Sequence, residues 1–180
     1  FYVGVMENYE LQGKTYEEVK MPQNGENATL SGWEFNIQQQ LSFLPGPLSG
    51  LGVYANYTST TSEAYYGSDR DKTTLPGQAG NTGNFSLSYE TKKLSARFSY
   101  ALSDQYNVEV GDDADEDVYY ELANRIDISL SYDPMDNLTI LADLMNVNNA
   151  PLGYFQGSSS TPIQRELYGP SFRVGLQYDF

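Results

Sequence analysis

Apolar and polar side chains alternate with a period of two along seven separate stretches of this chain. The last stretch is the cleanest: Phe172, Val174, Leu176, Tyr178 and Phe180 fall on one side, with Arg173, Gly175, Gln177 and Asp179 between them. Neighbouring side chains of a strand point to opposite faces, so this segment predicts a strand with one wholly apolar face. Over 33–43, Trp33, Phe35, Ile37, Leu41 and Phe43 share a side that only Gln39 interrupts. The alternation recurs over 51–58, 85–90, 94–103, 125–132 and 138–145, least cleanly in the last, where Leu141 and Met145 fall among the polar positions. A helical period fits none of these segments as well.

The connections alternate in length. Segments 44–50, 91–93 and 133–137 are tight and together carry many of the turn-forming Gly, Pro, Asn and Asp residues, whereas long polar stretches fill 59–82, 104–118 and 148–167. Short turns on one rim and long loops on the other characterise a transmembrane β-barrel, whose spans need about 9–11 residues each. Seven strands is an odd number, and bacterial single-chain barrels use even ones. An open sheet would also leave unpaired N–H and C=O groups in hydrocarbon, each costing several kcal/mol. The fold expected is therefore all-β: an antiparallel transmembrane β-barrel segment of about seven strands over residues 27–180, completed by strands upstream. Residues 1–26 read as an extracellular loop or hairpin around Gln12-Gly13-Lys14, because Glu7, Glu10, Glu17, Glu18 and Lys20 suit water better than lipid. The chain begins at Phe1 with no leader-like segment, so it is expected to be the C-terminal piece of a longer protein.

Composition removes several function classes. The 180 residues include no Cys and no His, against 16 Tyr, 8 Phe and 1 Trp. Thiol chemistry, disulfide scaffolds and most hydrolase triads are thereby excluded. A net charge of −14 argues against nucleic acid as a partner, since no basic stripe exists to replace phosphate counterions. The mean hydropathy of −0.51 is compatible with a barrel, in which only alternate strand residues face lipid. No run of about 18 apolar residues exists to form a membrane-spanning helix.

Several segments together resemble the TonB-dependent receptors of the bacterial outer membrane. They are Gly32-Trp-Glu, Phe43-Leu-Pro-Gly-Pro-Leu-Ser-Gly-Leu-Gly-Val-Tyr-Ala-Asn-Tyr57, Leu75-Pro-Gly-Gln-Ala-Gly-Asn81 and Phe85-Ser-Leu-Ser-Tyr89. Leu141-Ala-Asp-Leu-Met-Asn-Val-Asn-Asn149 and Tyr168-Gly-Pro-Ser-Phe-Arg-Val-Gly-Leu-Gln-Tyr-Asp-Phe180 follow in the same order. The resemblance implies a barrel of about 22 strands, occluded by an N-terminal plug that this chain does not contain. It also implies TonB as the energy-supplying partner, acting through the missing N-terminal part, and outer-membrane lipid as surroundings. The ligand would be a siderophore, cobalamin, haem or a glycan. Arg173, Gly175, Tyr178 and Phe180 then fit the terminal signal read by the barrel-insertion machinery.

Candidate site residues concentrate in the long connections. Tyr65, Tyr66, Tyr106, Tyr119, Tyr120, Tyr154 and Phe155 offer aromatic faces for a ligand, or form an interfacial girdle. Glu34, Arg97, Arg125, Asp127, Asp143 and Arg173 point to the lumen and are expected to pair with a plug or with one another. Asp112-Asp-Ala-Asp-Glu-Asp117 invites a calcium reading but lacks the Gly and distal Glu of an EF-hand, so it reads as a solvated acidic loop. Catalytic residues, a metal and a cofactor are not expected. Two other readings stay open: a complete eight-stranded membrane barrel with a structural or adhesion role, and a soluble acidic β-sandwich that binds carbohydrate.

Overall fold

The computed structural model describes residues 2–25, 27–66 and 72–180. Phe1 and Glu26, within the expected N-terminal hairpin segment, and 67–71, within the connection expected at 59–82, lie outside the described residues. The strands in chain order are β1 (Tyr2–Leu11), β2 (Lys14–Gln23), β3 (Asn27–Gln40), β4 (Leu51–Tyr65), β5 (Asn81–Glu90), β6 (Leu94–Ser103) and β7 (Tyr106–Glu109). They continue as β8 (Val118–Tyr120), β9 (Ala123–Met135), β10 (Leu138–Met145), β11 (Leu152–Gln156), β12 (Pro162–Glu166) and β13 (Ser171–Tyr178). Helix is confined, among the described residues, to single 3-10 turns at Gly46–Gly50 and Ala114–Glu116.

The seven alternating segments form one sheet in the order β13-β10-β9-β6-β5-β4-β3, every pair antiparallel. The register keeps all the apolar stripes on one face. Val53, Leu87, Phe98, Ile128, Leu144 and Phe172 form one continuous row across six strands, and Tyr89, Ala96, Leu130, Ala142 and Val174 another. A slip of one residue at any pair would put a polar stripe into that face. Among the described residues no second layer covers it: Phe172 is 65% exposed and Leu176 73%, and even the central Phe98 keeps 36% of its surface open. The sandwich reading required these stripes to bury one another, and they do not.

The opposite face is a ladder of amides and hydroxyls. Asn56 Oδ1 accepts both the backbone N–H and the side-chain amide of Asn84 at 3.1 Å, and the Ser86 and Ser99 hydroxyls lie 3.2 Å apart. Two ion pairs sit on it. Arg173 donates from Nε and NH2 to Asp143 Oδ2 (2.9 and 2.7 Å) directly across β10 and β13, and Arg125 NH2 lies 2.9 Å from Asp127 Oδ2. Glu34 and Arg97 carry no ion pair among the described residues.

The tight turns lie on one rim. The 44–50 turn closes on a 3-10 turn after Pro45, and Gly50 passes so close to the Glu90 carbonyl that a Cβ there would collide with it. The last tight turn is shorter than the 133–137 the sequence suggests, because β9 continues through Pro134 to Met135 and only two residues separate it from Leu138. A register shift between Leu138 and Ile140 accommodates the proline, which has no N–H to give the ladder. At the other rim β3 and β4 run beyond the predicted segments, pairing out to Asn27↔Tyr65. Ser59, Thr60, Thr61 and Ser62 break the alternation there but keep the backbone ladder.

The connections at 104–118 and 148–167, expected as loops, contain structure. Parts of them fold into a separate sheet of order β12-β11-β8-β7, in which β7 and β8 come from one connection and β11 and β12 from the other. The small buried core of the molecule lies at this rim: Ala64, Tyr66, Ala79, Asn107, Asp117 and Phe155. β1 and β2 form a two-stranded hairpin closed at Gln12-Gly13.

Candidate functional site

The rim of long insertions gathers the chemistry-bearing side chains. On β7, β8 and β11, Tyr106, Tyr120 and Tyr154 occupy matching positions of one face. Tyr106 stacks on Tyr120 at 5.3 Å, and Tyr154 meets Tyr120 edge-on at 5.3 Å. Burial, then the neighbouring Tyr106 and Tyr154 hydroxyls, hold the Tyr120 phenol above its ordinary pKa, so it remains a neutral donor through the physiological range. On the other face Tyr119 stacks on Phe155 at 5.2 Å, and Phe155 is only 3% exposed. Tyr66 is also buried, whereas Tyr65 lies under Lys72, whose Nζ is 4.5 Å from its ring centroid. Of the seven aromatic residues expected to offer faces to a ligand, then, five are built into one small sheet. Tyr106, Tyr119 and Tyr154 keep partial exposure, and Phe155 and Tyr66 serve as packing.

The acidic run is partly inward-facing. Asp117 is 2% exposed: its Oδ1 accepts the Gly111 N–H at 3.0 Å and its Oδ2 the Tyr119 hydroxyl at 3.3 Å. Its backbone carbonyl accepts the Gly157 N–H at 2.8 Å, which joins the two insertions. Asp112, Asp113, Asp115 and Glu116 stay exposed, and among the described residues no group of three or more acidic side chains is arranged to hold a metal ion. Replacing Asp117 with alanine removes the acceptor for two donors at a buried point, an effect of about 1–3 kcal/mol. Limited proteolysis of the folded protein is expected to nick 104–122 faster, with the seven-stranded sheet still protected from cleavage.

At β4's outer end Glu63 and Lys72 form an ion pair of 2.7 Å. The Lys72 ammonium holds the Glu63 carboxyl below its ordinary range, and Glu63 in turn raises Lys72. The stabilisation is present above the normal carboxylate pKa and is lost as pH falls through the lowered one. Both side chains are about half exposed, so the pair serves mainly to orient Lys72.

A cluster the sequence did not single out closes β10 onto β13. Asn146 and Asn149 adopt left-handed backbone angles (φ 56° and 50°), which asparagine tolerates better than most residues. Asn146 receives the Ala150 N–H and donates to the Gly169 carbonyl, Asn148 receives the Ile126 N–H, and Asn149 receives the Gly169 N–H. These three side chains fix where the insertion leaves and rejoins the sheet. Arg173, Gly175, Tyr178 and Phe180 lie on the β13 edge or just beyond it, with the Tyr178 and Phe180 rings edge-to-face at 5.1 Å.

Among family models, one described as TonB dependent receptor-like, beta-barrel, matches residues 8–149. No curated protein and no solved structure matches the chain.

Proposed function

The chain belongs to the TonB-dependent receptor-like β-barrel family, and on that premise we propose that it forms the C-terminal part of a receptor wall that imports a scarce ligand across the bacterial outer membrane. The family is one of receptors and transporters, not of enzymes. One observation carries the reading: a seven-stranded antiparallel sheet presents a continuous, uncovered apolar face on one side and an amide, hydroxyl and ion-pair face on the other. Lipid is the surrounding that such a face fits, and a hydrated lumen suits its reverse. Among the described residues the outer strands β3 and β13 have one free edge each, which in hydrocarbon demands pairing. The rest of the same receptor, with its earlier strands and a plug, supplies the partners in this reading.

The hairpin β1–β2 and the small insertion sheet then face outward, and the tight turns face the periplasm. TonB would act through the part of the receptor that this chain lacks. Residues 1–26 are assigned to an extracellular hairpin and 27–180 to the barrel. Arg173, Gly175, Tyr178 and Phe180 are assigned to the insertion signal, and Tyr65, Tyr66, Tyr106, Tyr119, Tyr154 and Phe155 to the outer region from which ligand is captured, with Tyr66 and Phe155 as its packing.

The test is fractionation and uptake in the native bacterium. The full-length protein is expected in the outer membrane, extracted only with detergent, and nutrient uptake lost on deleting it is expected to be lost equally on deleting TonB. Recovery from the soluble fraction, or uptake indifferent to TonB, would overturn the proposal.

A further inference from the structure

Resting on the receptor reading, the inference concerns a cleft of about 740 Å³ between the outer extension of β4, the segment 72–80 and β7. That volume suits a small-molecule ligand rather than a water cluster. Among the described residues, three charged side chains line it. Lys72, the one cation among the described lining residues, is neutralised by Glu63 at 2.7 Å, and Asp104 accepts a hydrogen bond from the Asn81 amide at 2.6 Å. Among the described residues, an anionic chelate entering here would meet two carboxylates and no uncommitted cation. Most of the remaining lining is hydroxyl and amide, from Thr60, Thr61, Ser62, Thr73, Thr74 and Gln78 among others.

Asn107 gives the cleft a specific feature. It lines the cleft and is 0% exposed, yet neither its amide nitrogen nor its amide oxygen has a hydrogen-bond partner. Buried amides are almost always paired, and leaving both ends unpaired opposes folding. A ligand that donates and accepts would satisfy both at once. Tyr106 and Tyr119 flank the cleft, and their stacking on Tyr120 and Phe155 holds the rings in place. Rigid aromatic faces beside hydroxyl and amide groups recognise the apolar faces and hydroxyl edges of a sugar ring.

We infer that this cleft takes an uncharged, hydroxyl-rich ligand of the oligosaccharide class, with the Asn107 amide as its buried hydrogen-bonding partner. The experiment is calorimetric titration of the purified full-length receptor in detergent. The probes are neutral linear hexasaccharides of α-1,4-glucan, β-1,4-glucan, β-1,4-xylan and β-1,4-mannan, with a ferric tris-catecholate complex as the anionic comparison. At least one hexasaccharide is expected to bind, and the ferric complex is not. Asn107→Leu is expected to weaken that binding about tenfold or more, with an unchanged or higher unfolding temperature, because it removes an unpaired buried amide. A purely structural Asn107 would give the same stability change with binding untouched, and that result overturns the inference. Should Asn107→Leu fail to fold, Thr61→Val and Gln78→Leu at the more open part of the cleft decide the matter, with unchanged binding in both again overturning it. Binding of no hexasaccharide, or of the ferric complex alone, also overturns it. In those cases TonB-dependent uptake of the ferric complex would leave the receptor reading standing, whereas uptake independent of TonB would remove that reading as well.

Discussion

Phe98→Arg in the full-length receptor is expected to destabilise the barrel by about 2–4 kcal/mol, the cost of a cation at the lipid midplane. Phe98 lies at the middle of β6, in register between Leu87 of β5 and Ile128 of β9, in an apolar row that crosses six strands of the sheet. Arginine there either carries its charge into hydrocarbon or bends away and leaves the row unfilled. The neighbouring Ser99 points to the other face, where its hydroxyl lies 3.2 Å from that of Ser86. Ser99→Lys places the same charge among amides and water and is expected to change stability little. Urea unfolding of the receptor refolded into lipid vesicles measures both. Equal effects of the two substitutions would mean that the apolar face does not meet lipid.

The second large effect is on assembly rather than stability. Phe180 is fully exposed, and among the described residues the Tyr178 ring is the one aromatic ring it meets. Phe180→Asp therefore removes almost no packing from the folded wall. If the last aromatic residue is read by the insertion machinery, this variant is expected to disappear from the outer membrane of living cells and accumulate in the periplasm, while the purified protein refolds into detergent at the wild-type rate. Gly175 offers a companion test. A Cβ at that position would meet Leu141 only at ordinary contact distances of 3.6–3.7 Å, so Gly175→Ala should leave the wall intact. Normal outer-membrane levels of Phe180→Asp would show that the terminal pattern serves the fold alone.

The seven wall strands were legible because each is wetted on one face and apolar on the other, a contrast that writes itself into alternate residues. Their outer ends were less legible. Above the lipid β4 no longer needs an apolar face, so the polar run Ser59-Thr-Thr-Ser-Glu63 hides a ladder that in fact reaches Tyr65. Val118–Tyr120 and Tyr106–Glu109 are too short to establish any period, and pairing between two distant insertions leaves no local mark. Nor does anything beside Asn107 or Asp117 announce burial, since both sit in stretches that look solvated and are enclosed only by tertiary contacts. Turn chemistry misled once. Pro134 suggested that the chain had already left the strand, whereas a register shift kept it in the sheet.

The small outer sheet draws half its strands from the connection after β6 and half from the connection after β10. A gene exchange that replaced only one of these connections would strand the other with an orphaned edge at β8 or β11 and an Asp117 or Gly157 without its counterpart. The two stretches must therefore travel together in inheritance. Diversification of this receptor's exterior is expected to proceed by matched pairs of changes, or by wholesale replacement of the whole span between them.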